Sequence, residues 1–387
     1  MNIRVLLVVN VDWYFWSHRL SLARALRDAG CEVVVATGVE RGYRQAIERE
    51  GFRFVPLALQ RRMTAPWWEL ASAWELVRLY RHERPRVVHH VAIKPVIYGS
   101  LAARVAGVPA VINTIPGLGY TFLGTGLRGR MLRFGVSFAY RLALADQRVR
   151  VIFQNPDDRK MFVERHLVPA GRAVLIRGSG VDVRAFSPSE EPEGVPVVLL
   201  ASRLLWDKGV REFVEAARKL RGRGQACRFV LVGVPDKENP EAVPEATLRA
   251  WSAEGIVEWW GLRDDMPAVL RQAALVVLPS YREGIPKILL EAAAGGRPIV
   301  TTDVSGCREV VRDGENGLLV PPRDASSLAE AIATLLRDRS LRERMGRRGR
   351  EIAVSEFSEE VVIAATLSVY RDALGSDWPQ GSVAGSP

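Results

Sequence analysis

No apolar run in this sequence is long enough to cross a membrane. The longest, such as Val5–Val9 and Ala273–Pro279, are strand-sized, against the roughly 20 residues that a spanning helix needs. Cysteine is scarce: Cys31, Cys227 and Cys307 are odd in number and far apart, so neither a disulfide framework nor a zinc cluster is indicated. The N-terminus has one Arg ahead of Val5-Leu6-Leu7-Val8-Val9 and no small-residue cleavage site, so it reads as a first β-strand and not as a signal peptide. No Gly-x-Gly-x-x-Gly follows that strand, where Val9-Asn10-Val11-Asp12-Trp13 stands, and no Gly-Lys-Ser/Thr follows any strand. The dinucleotide fingerprint and the P-loop are both missing, which disfavours NAD enzymes and P-loop nucleotide hydrolases. Lysine is confined to positions 94, 160, 208, 219, 237 and 287, so arginine supplies 48 of the 54 basic residues.

Those basic residues face 44 acidic ones, giving a net charge of +10 and an isoelectric point near 9.9. Such a surplus suits nucleic acid, anionic lipid or a phosphorylated substrate. Scattered arginines are equally what an arginine-rich codon usage produces, and charge alone does not choose the partner. Nucleic acid is disfavoured by the lack of a recognition helix or an aromatic-basic sheet motif. At 387 residues, 48% apolar and 25% charged, the chain has the make-up of a globular protein of two or three domains. A soluble, cytoplasmic protein is expected.

Short apolar runs alternate with helical patterns almost from end to end, which predicts repeated βα units, parallel sheets and an α/β fold. The first series of strands falls at 3–9, 32–36, 52–56, 86–90, 110–113, 150–153 and 173–176. Helices such as 17–29 and 95–106 lie between them, each ending at a glycine suited to a C-cap. A second series falls at 195–202, 229–233, 257–260, 275–279, 298–301 and 317–320. The Pro-, Ser- and Glu-rich stretch 186–196 between the two series is the linker candidate. The expected architecture is two doubly wound, Rossmann-like domains facing a central cleft. Residues 1–185 form the N-terminal domain and 195–355 the C-terminal one. A helix at 356–374 could cross back to the first domain, and 375–387 is read as a disordered tail.

In this architecture ligands bind beyond the C-terminal ends of the strands. There the segment Pro279-Ser-Tyr-Arg-Glu283-Gly284-Ile285-Pro286-Lys-Ile-Leu-Leu-Glu291 runs from a strand end through a glycine turn into a helix started by Pro286. The helix N-terminus offers free N–H groups and a positive dipole end, a ready anion site. A carboxylate so near bound phosphate would repel it, so Glu283 and Glu291 suit hydroxyl groups. Phosphates with flanking hydroxyls describe a nucleotide sugar. A capping Glu283 and a solvated Glu291 fit the spacing as well. Across the same cleft, Leu200-Ala-Ser-Arg203-Leu-Leu-Trp-Asp-Lys208-Gly209 follows the first strand of the second domain. Arg203 and Lys208 could neutralise a diphosphate there or be ordinary surface cations, and Asp207 suits an N-cap.

Arg203 with Lys208-Gly209, then Glu283-Gly-Ile-Pro, then Glu291 eight residues on, resembles the family 4 retaining glycosyltransferases of the two-domain GT-B fold. Gly178-Ser-Gly-Val-Asp182, Thr301-Thr-Asp-Val-Ser-Gly-Cys-Arg-Glu309 and Asn316-Gly317-Leu-Leu-Val-Pro321 agree with it. The match covers nearly the whole chain. The resemblance implies that Arg203 and Lys208 bind the donor diphosphate and that Glu291 holds the ribose hydroxyls. It implies also that Glu283, with Gly284, Ile285 and Pro286, meets the transferred sugar, and that Gly261-Leu262-Arg263 edges the nucleobase. No metal or other cofactor is expected, since protein cations and the helix end stabilise the departing diphosphate. Asp264-Asp265 then reads as a helix start. Catalysis is assigned to Glu283, Arg203 and Lys208, with retention implied by the family.

The first domain departs from the common pattern. Where many relatives carry His-Gly after the fifth strand, this chain reads Asn113-Thr-Ile-Pro-Gly117-Leu-Gly119-Tyr, and the frequent His-x-His after the fourth is His89-His90-Val91. The text His90-Val-Ala-Ile-Lys94-Pro-Val-Ile-Tyr-Gly with Gly117-Leu-Gly-Tyr-Thr-Phe resembles a narrower branch. That branch extends polyprenyl-diphosphate-linked sugars for bacterial cell-surface polysaccharide or glycoprotein, often from UDP-N-acetylhexosamines. Acceptor contacts are expected from Lys94, Gly117, Gly119 and His18, the last in the loop Trp13–Arg19. For His18 and Lys94, aromatic packing and a helix start explain the residues equally.

A lipid-linked acceptor requires contact with the cytoplasmic face of the membrane. Segment 126–150 holds six arginines against Asp146, with Leu127, Met131, Phe134, Phe138, Leu142 and Ala145 at helical spacing. Such a helix can lie on anionic lipid or pack its stripe on its own sheet. Arg61-Arg62 with Trp67, Trp68 and Trp74 is a second candidate patch. The function expected is sugar transfer from a UDP-sugar to a polyprenyl-diphosphate glycan by a protein peripheral on the inner membrane face. The rivals are a nucleotide-sugar epimerase of the same fold and a non-catalytic basic membrane-binding protein.

Overall fold

The computed structural model describes residues 3–59, 66–117, 126–236 and 238–379. The chain divides into two units, Met1–Ser179 with Val362–Pro387, and Gly180–Val361.

In the first unit the elements run β1 (Ile3–Val11), α1 (Asp12–His18), α2 (Leu20–Asp28), β2 (Cys31–Gly38), α3 (Arg44–Arg49), β3 (Arg53–Pro56), α4 (Pro66–Glu83), β4 (Val87–Val91), α5 (Ile93–Ala106), β5 (Ala110–Ile115), α6 (Gly126–Leu144), β6 (Val149–Phe153), α7 (Pro156–Glu164) and β7 (Ala173–Leu175). The strands form one parallel sheet in the order β3-β2-β1-β4-β5-β6-β7. Because side chains alternate along a strand, β1 sends Leu6 and Val8 into a core shared with α4–α7. It sends Val5, Leu7 and Val9 into the opposite core, with α1 and α2. At the end of β1 the buried Asp12 carboxylate accepts the backbone N–H groups of Trp13, Glu40, Arg41 and Tyr43 at 2.9–3.1 Å, tying this edge to the loop after β2.

The second unit runs β8 (Val197–Ala201), α8 (Val210–Gly222), β9 (Arg228–Val232), α9 (Glu245–Ala253), β10 (Glu258–Trp259), α10 (Met266–Arg271), β11 (Leu275–Leu278), α11 (Lys287–Ala294), β12 (Ile299–Thr302), α12 (Cys307–Val310), β13 (Gly317–Val320), α13 (Ala325–Arg337) and α14 (Arg339–Glu356). Its parallel sheet has the order β10-β9-β8-β11-β12-β13, covered on both faces. The last helix, α15 (Glu359–Leu374), returns the chain to the first unit, where Val362, Val369, Tyr370 and Leu374 join the α1–α2 core.

Several expectations need correction. The stretch 186–196 is no linker, since the units part between Ser179 and Gly180 and the stretch belongs wholly to the second. Its polar composition serves arginines: Glu191 takes both Nε and Nη2 of Arg342 at 2.8 and 2.6 Å, and Arg297 donates to Ser189 and to the Glu190 carbonyl. The domain limits 1–185 and 195–355 shift accordingly. The helix expected at 17–29 is two helices broken at Arg19, so His18 ends α1 and does not sit in a loop. The tail expected from 375 is ordered at 375–379. There Asp377 pairs with Arg86, and Trp378 lies against Tyr370 with the Arg371 guanidinium over its ring. Residues 380–387 lie outside the described residues.

The amphipathic stripe of 126–150 has a clear outcome. The core is filled from α6 by Tyr140, Ala143 and Leu144. Phe134 is 78% and Met131 69% exposed, and Phe138 and Leu142 are exposed too. On α4, Trp67, Trp68, Leu70 and Trp74 are likewise exposed. Leu127 and Arg128 lie outside the described side chains, and Arg61-Arg62 outside the described residues.

Candidate active site

Strands β8 and β11 are neighbours in the second sheet, so the loops leaving their C-terminal ends lie side by side. The first loop carries Arg203 and a short 3₁₀ turn, Trp206–Lys208, before α8. Asp207 does not cap that helix. Gly209 takes the N-cap position at φ +72°, where an added Cβ would come within 2.1 Å of the Pro279 carbonyl oxygen. The Tyr281 N–H donates to the Asp207 carbonyl at 2.9 Å, joining the two loops. The second loop is pinned from the far side by Gly306, whose Cβ position would lie 1.7 Å from the Gly284 oxygen. Glycine is required at both places because backbone packs on backbone.

This packing brings together Arg203, Lys208 and Glu283, three of the residues expected to bind the donor. Lys208 Nζ lies 2.6 Å from Glu283 Oε1, and the same oxygen accepts from the Ser280 hydroxyl at 2.7 Å. Arg203 Nη1 donates to Asp236 at 2.8 Å. The loop enters α11 with Pro286 as its N-cap and without a side-chain cap on the first turn, and Gly284 and Ile285 lead directly into that end. Glu291, one turn further, is buried and 3.6 Å from Lys287, and burial raises its carboxyl above the ordinary range. It is therefore not the solvated helix residue that the spacing allowed. Burial also raises the Asp207 carboxyl, whose Oδ1 has no hydrogen-bond partner.

Along the same sheet edge, the Gly261 carbonyl accepts from the Gly233 N–H at 2.7 Å, Leu262 is exposed, and Arg263 grips Asp265 through two bonds of 2.8 and 2.6 Å. Asp265 precedes α10, in keeping with the helix start read from Asp264-Asp265. Burial pushes the Cys307 thiol to about 12, so it stays protonated, with Glu283 nearby adding to the shift. Asp236, Tyr281 and Ser280 were not singled out from the sequence, because their roles arise only where separate loops meet.

In the first unit the expected acceptor residues follow β1, β4 and β5, three adjacent strands. His18 stacks on Tyr14 at 4.1 Å, with Nδ1 2.7 Å from the Ser17 hydroxyl. Lys94 lies in the first turn of α5 and pairs with Glu69 at 2.8 Å, in a largely buried contact. Gly117 follows β5, and Gly119 lies outside the described residues. His89 and His90 are buried and fully bonded, His89 to Tyr370 and Thr114 at 2.7 Å each, His90 to Tyr80 and Asn113 at 2.8 Å each. Burial lowers both, His90 to about 4, which favours the neutral rings that these hydrogen bonds hold in the core.

Known proteins sharing these features group consistently. Residues 4–155 match the family described as glycosyl transferase 4-like, and residues 195–338 the one described as glycosyl transferases group 1. The chain is 29% identical to the N,N'-diacetylbacillosaminyl-diphospho-undecaprenol alpha-1,3-N-acetylgalactosaminyltransferase of Campylobacter jejuni, over 91% of this chain and 94% of that protein. It is 26% identical to the putative glycosyltransferase EpsD of Bacillus subtilis, over 99% and 100%. Among solved structures, sucrose-phosphate synthase from Thermosynechococcus elongatus aligns with a TM-score of 0.79 at 21% identity, over 97% of this chain and 100% of that one. Anabaena HepE in complex with UDP-glucose aligns with a TM-score of 0.75 at 19% identity, over 94% and 99%.

Proposed function

Because this chain belongs to the family 4 glycosyltransferases of the GT-B fold, we propose that it moves a sugar from a UDP-sugar onto a polyprenyl-diphosphate-linked glycan, with retention of configuration. The observation carrying the donor half is the convergence of Arg203, Lys208 and Glu283 at the β8–β11 edge, beside the uncapped first turn of α11, the helix that carries Glu291. In this reading Lys208, Arg203 and the α11 end take the charge of the departing diphosphate, so no resident metal is called on. Glu283, held by Ser280 and Lys208, turns its carboxylate to the sugar, and Glu291 takes the ribose hydroxyls. Gly261-Leu262-Arg263 borders the base. UDP is supported by the HepE structures in complex with UDP and UDP-glucose, and the acceptor class by the Campylobacter relative.

The membrane half of the proposal rests on the exposed Met131, Phe134, Phe138 and Leu142 of α6 and the tryptophans of α4, with Arg130 and Arg141 exposed among them. An apolar stripe flanked by cations suits the interface of an anionic leaflet, each cation adding about 1 kcal/mol. No described helix is long and apolar enough to cross a membrane. The assay is transfer from UDP-, GDP- and ADP-sugars to a prenyl-diphosphate glycan, with and without chelator, alongside flotation with phosphatidylglycerol vesicles. UDP-dependent, chelator-resistant transfer and flotation lost in Phe134→Asp/Phe138→Asp are expected. Donor conversion without acceptor would replace the transferase by an epimerase. Full activity in Arg203→Ala would remove the assigned donor site.

A further inference from the structure

Arg19 is a buried cation for which the described residues of the first unit supply no neutralising carboxylate. It occupies the break between α1 and α2, with φ −130° and ψ −7°, and serves as C-cap of one helix and N-cap of the next. Only 6% of the residue is exposed, yet its Nε and Nη2 are buried without a hydrogen-bond partner. The groups that act on its charge are the phenols of Tyr14 and Tyr370 together with His89, and no carboxylate is among them. His89 and Tyr370 are bonded to each other at 2.7 Å, and His89 to Thr114, so these neighbours are already engaged. The Arg19 backbone is the N-cap of α2, whose first turn has no side-chain cap, so the positive end of that helix begins at the backbone of the same residue.

A guanidinium taken from water without a counter-charge is among the costlier features a fold can hold. A buried polar group left unpaired calls for a reason, and an anion that completes the site is one. Guanidinium forks match phosphate oxygens in pairs, and a helix N-terminus adds donors of the same sign.

We propose that Arg19 and the first turn of α2 form an anion subsite that receives a phosphate or diphosphate group of a substrate. On the function proposed above, which this inference deepens, that group is the acceptor's diphosphate; the other source of the same chemistry is the nucleotide donor. Arg19 follows β1 at the sheet edge where the acceptor residues His18, Lys94 and Gly117 also emerge.

The test uses the full chain with the second unit's cations removed (Arg203→Ala/Lys208→Ala), so that inorganic pyrophosphate reports only on other sites. Pyrophosphate should raise the Tm of this background saturably, and adding Arg19→Met should abolish the rise. Arg19→Met by itself should leave the ligand-free Tm unchanged or higher, because an unpaired buried charge is replaced by an apolar chain. Arg19→Lys, which keeps the charge and loses the fork, should bind pyrophosphate several-fold more weakly. In otherwise wild-type enzyme, Arg19→Met should raise the KM for a short-chain prenyl-diphosphate acceptor at least tenfold with the donor KM unchanged. A raised donor KM alone would assign the phosphate to the nucleotide. Pyrophosphate binding that ignores Arg19, or a fall of several degrees in the ligand-free Tm of Arg19→Met, would make Arg19 a structural residue and overturn the inference. The pyrophosphate arm needs no sugar transfer, so its outcome stands whether or not the proposed reaction does.

Discussion

The contact between Lys208 and Glu283 separates structural from donor-binding charge. The two side chains are 14% and 12% exposed and 2.6 Å apart, so each is mostly shielded from water by the other's loop. Removing one partner of a fully buried pair costs about 3–5 kcal/mol. Here the Ser280 hydroxyl keeps one bond to Glu283, and some solvent reaches both groups, so about 2–3 kcal/mol is the better figure for Lys208→Met. For a unit of this size that corresponds to a Tm lower by about 5–10 °C. Glu283→Gln on top of Lys208→Met removes the stranded carboxylate and should recover most of that loss. Donor binding should not follow. If Lys208 also holds the diphosphate, the lost charge-assisted bond costs about 2 kcal/mol, near thirtyfold in Kd, in the single variant, and the double variant, which also lacks the carboxylate assigned to the sugar, should bind no better. Thermal unfolding and donor titration at one ionic strength read both quantities. A double variant that regains stability and donor affinity together would refute the reasoning, because Lys208 would then serve Glu283 alone.

Glu291→Gln removes a carboxyl that burial has raised, and the sign follows from linkage. A raised folded-state pKa gives stability that is present below the unfolded pKa and lost as pH rises through the folded one. The variant should therefore melt above wild type near pH 7, and the gap should close on acidification below the ordinary carboxylate range; a gap that widens on acidification would contradict this. The same variant should bind donor more weakly at neutral pH. Tyr370→Phe deletes the hydroxyl bonded to His89 Nδ1, leaving a buried ring nitrogen unpaired at about 1–3 kcal/mol, measurable by urea unfolding. An unchanged midpoint would mean that the ring has found another partner.

Much of the fold was legible because βα alternation writes itself in local pattern. The strands of both sheets fall close to where apolar runs predicted them, and Gly107 caps α5 in the left-handed region as its position suggested. What failed depends on distant partners. The polarity of 186–196 signals a linker until Arg342 and Arg297, more than a hundred residues away, are seen to use it. The stripe of α6 has helical spacing whichever side it faces, and only the packing of Tyr140, Ala143 and Leu144 shows that its aromatic face points outward. In the site, Arg203, Lys208, Glu283 and Glu291 were readable as motif residues. Their carboxylate and hydroxyl partners were not, since Asp236 and Ser280 carry no signal apart from their neighbours. Arg19 closes the segment Trp13–Arg19, yet burial without a partner has no sequence signature.

Arg19 and the cations of the β8–β11 edge are held differently, and this shapes what each can recognise. At the β8–β11 edge Lys208, Arg203 and Lys287 each have a carboxylate of their own, Glu283, Asp236 and Glu291. A diphosphate arriving there exchanges one anionic partner for another, so its gain is a difference between two favourable contacts and not a whole ion pair. Specificity would then come from what the carboxylates do when released or shared, and in the proposed reading Glu283 and Glu291 accept sugar hydroxyls. A bare diphosphate satisfies the cations but gives the displaced acids nothing, whereas a nucleotide sugar satisfies both. On the proposed function, the pairing at this edge should therefore favour a nucleotide sugar over inorganic pyrophosphate. Arg19 has no such competitor among the described residues, so an anion meeting it would gain the full contact, and the subsite proposed there should accept a plain phosphate group more readily than the β8–β11 edge does.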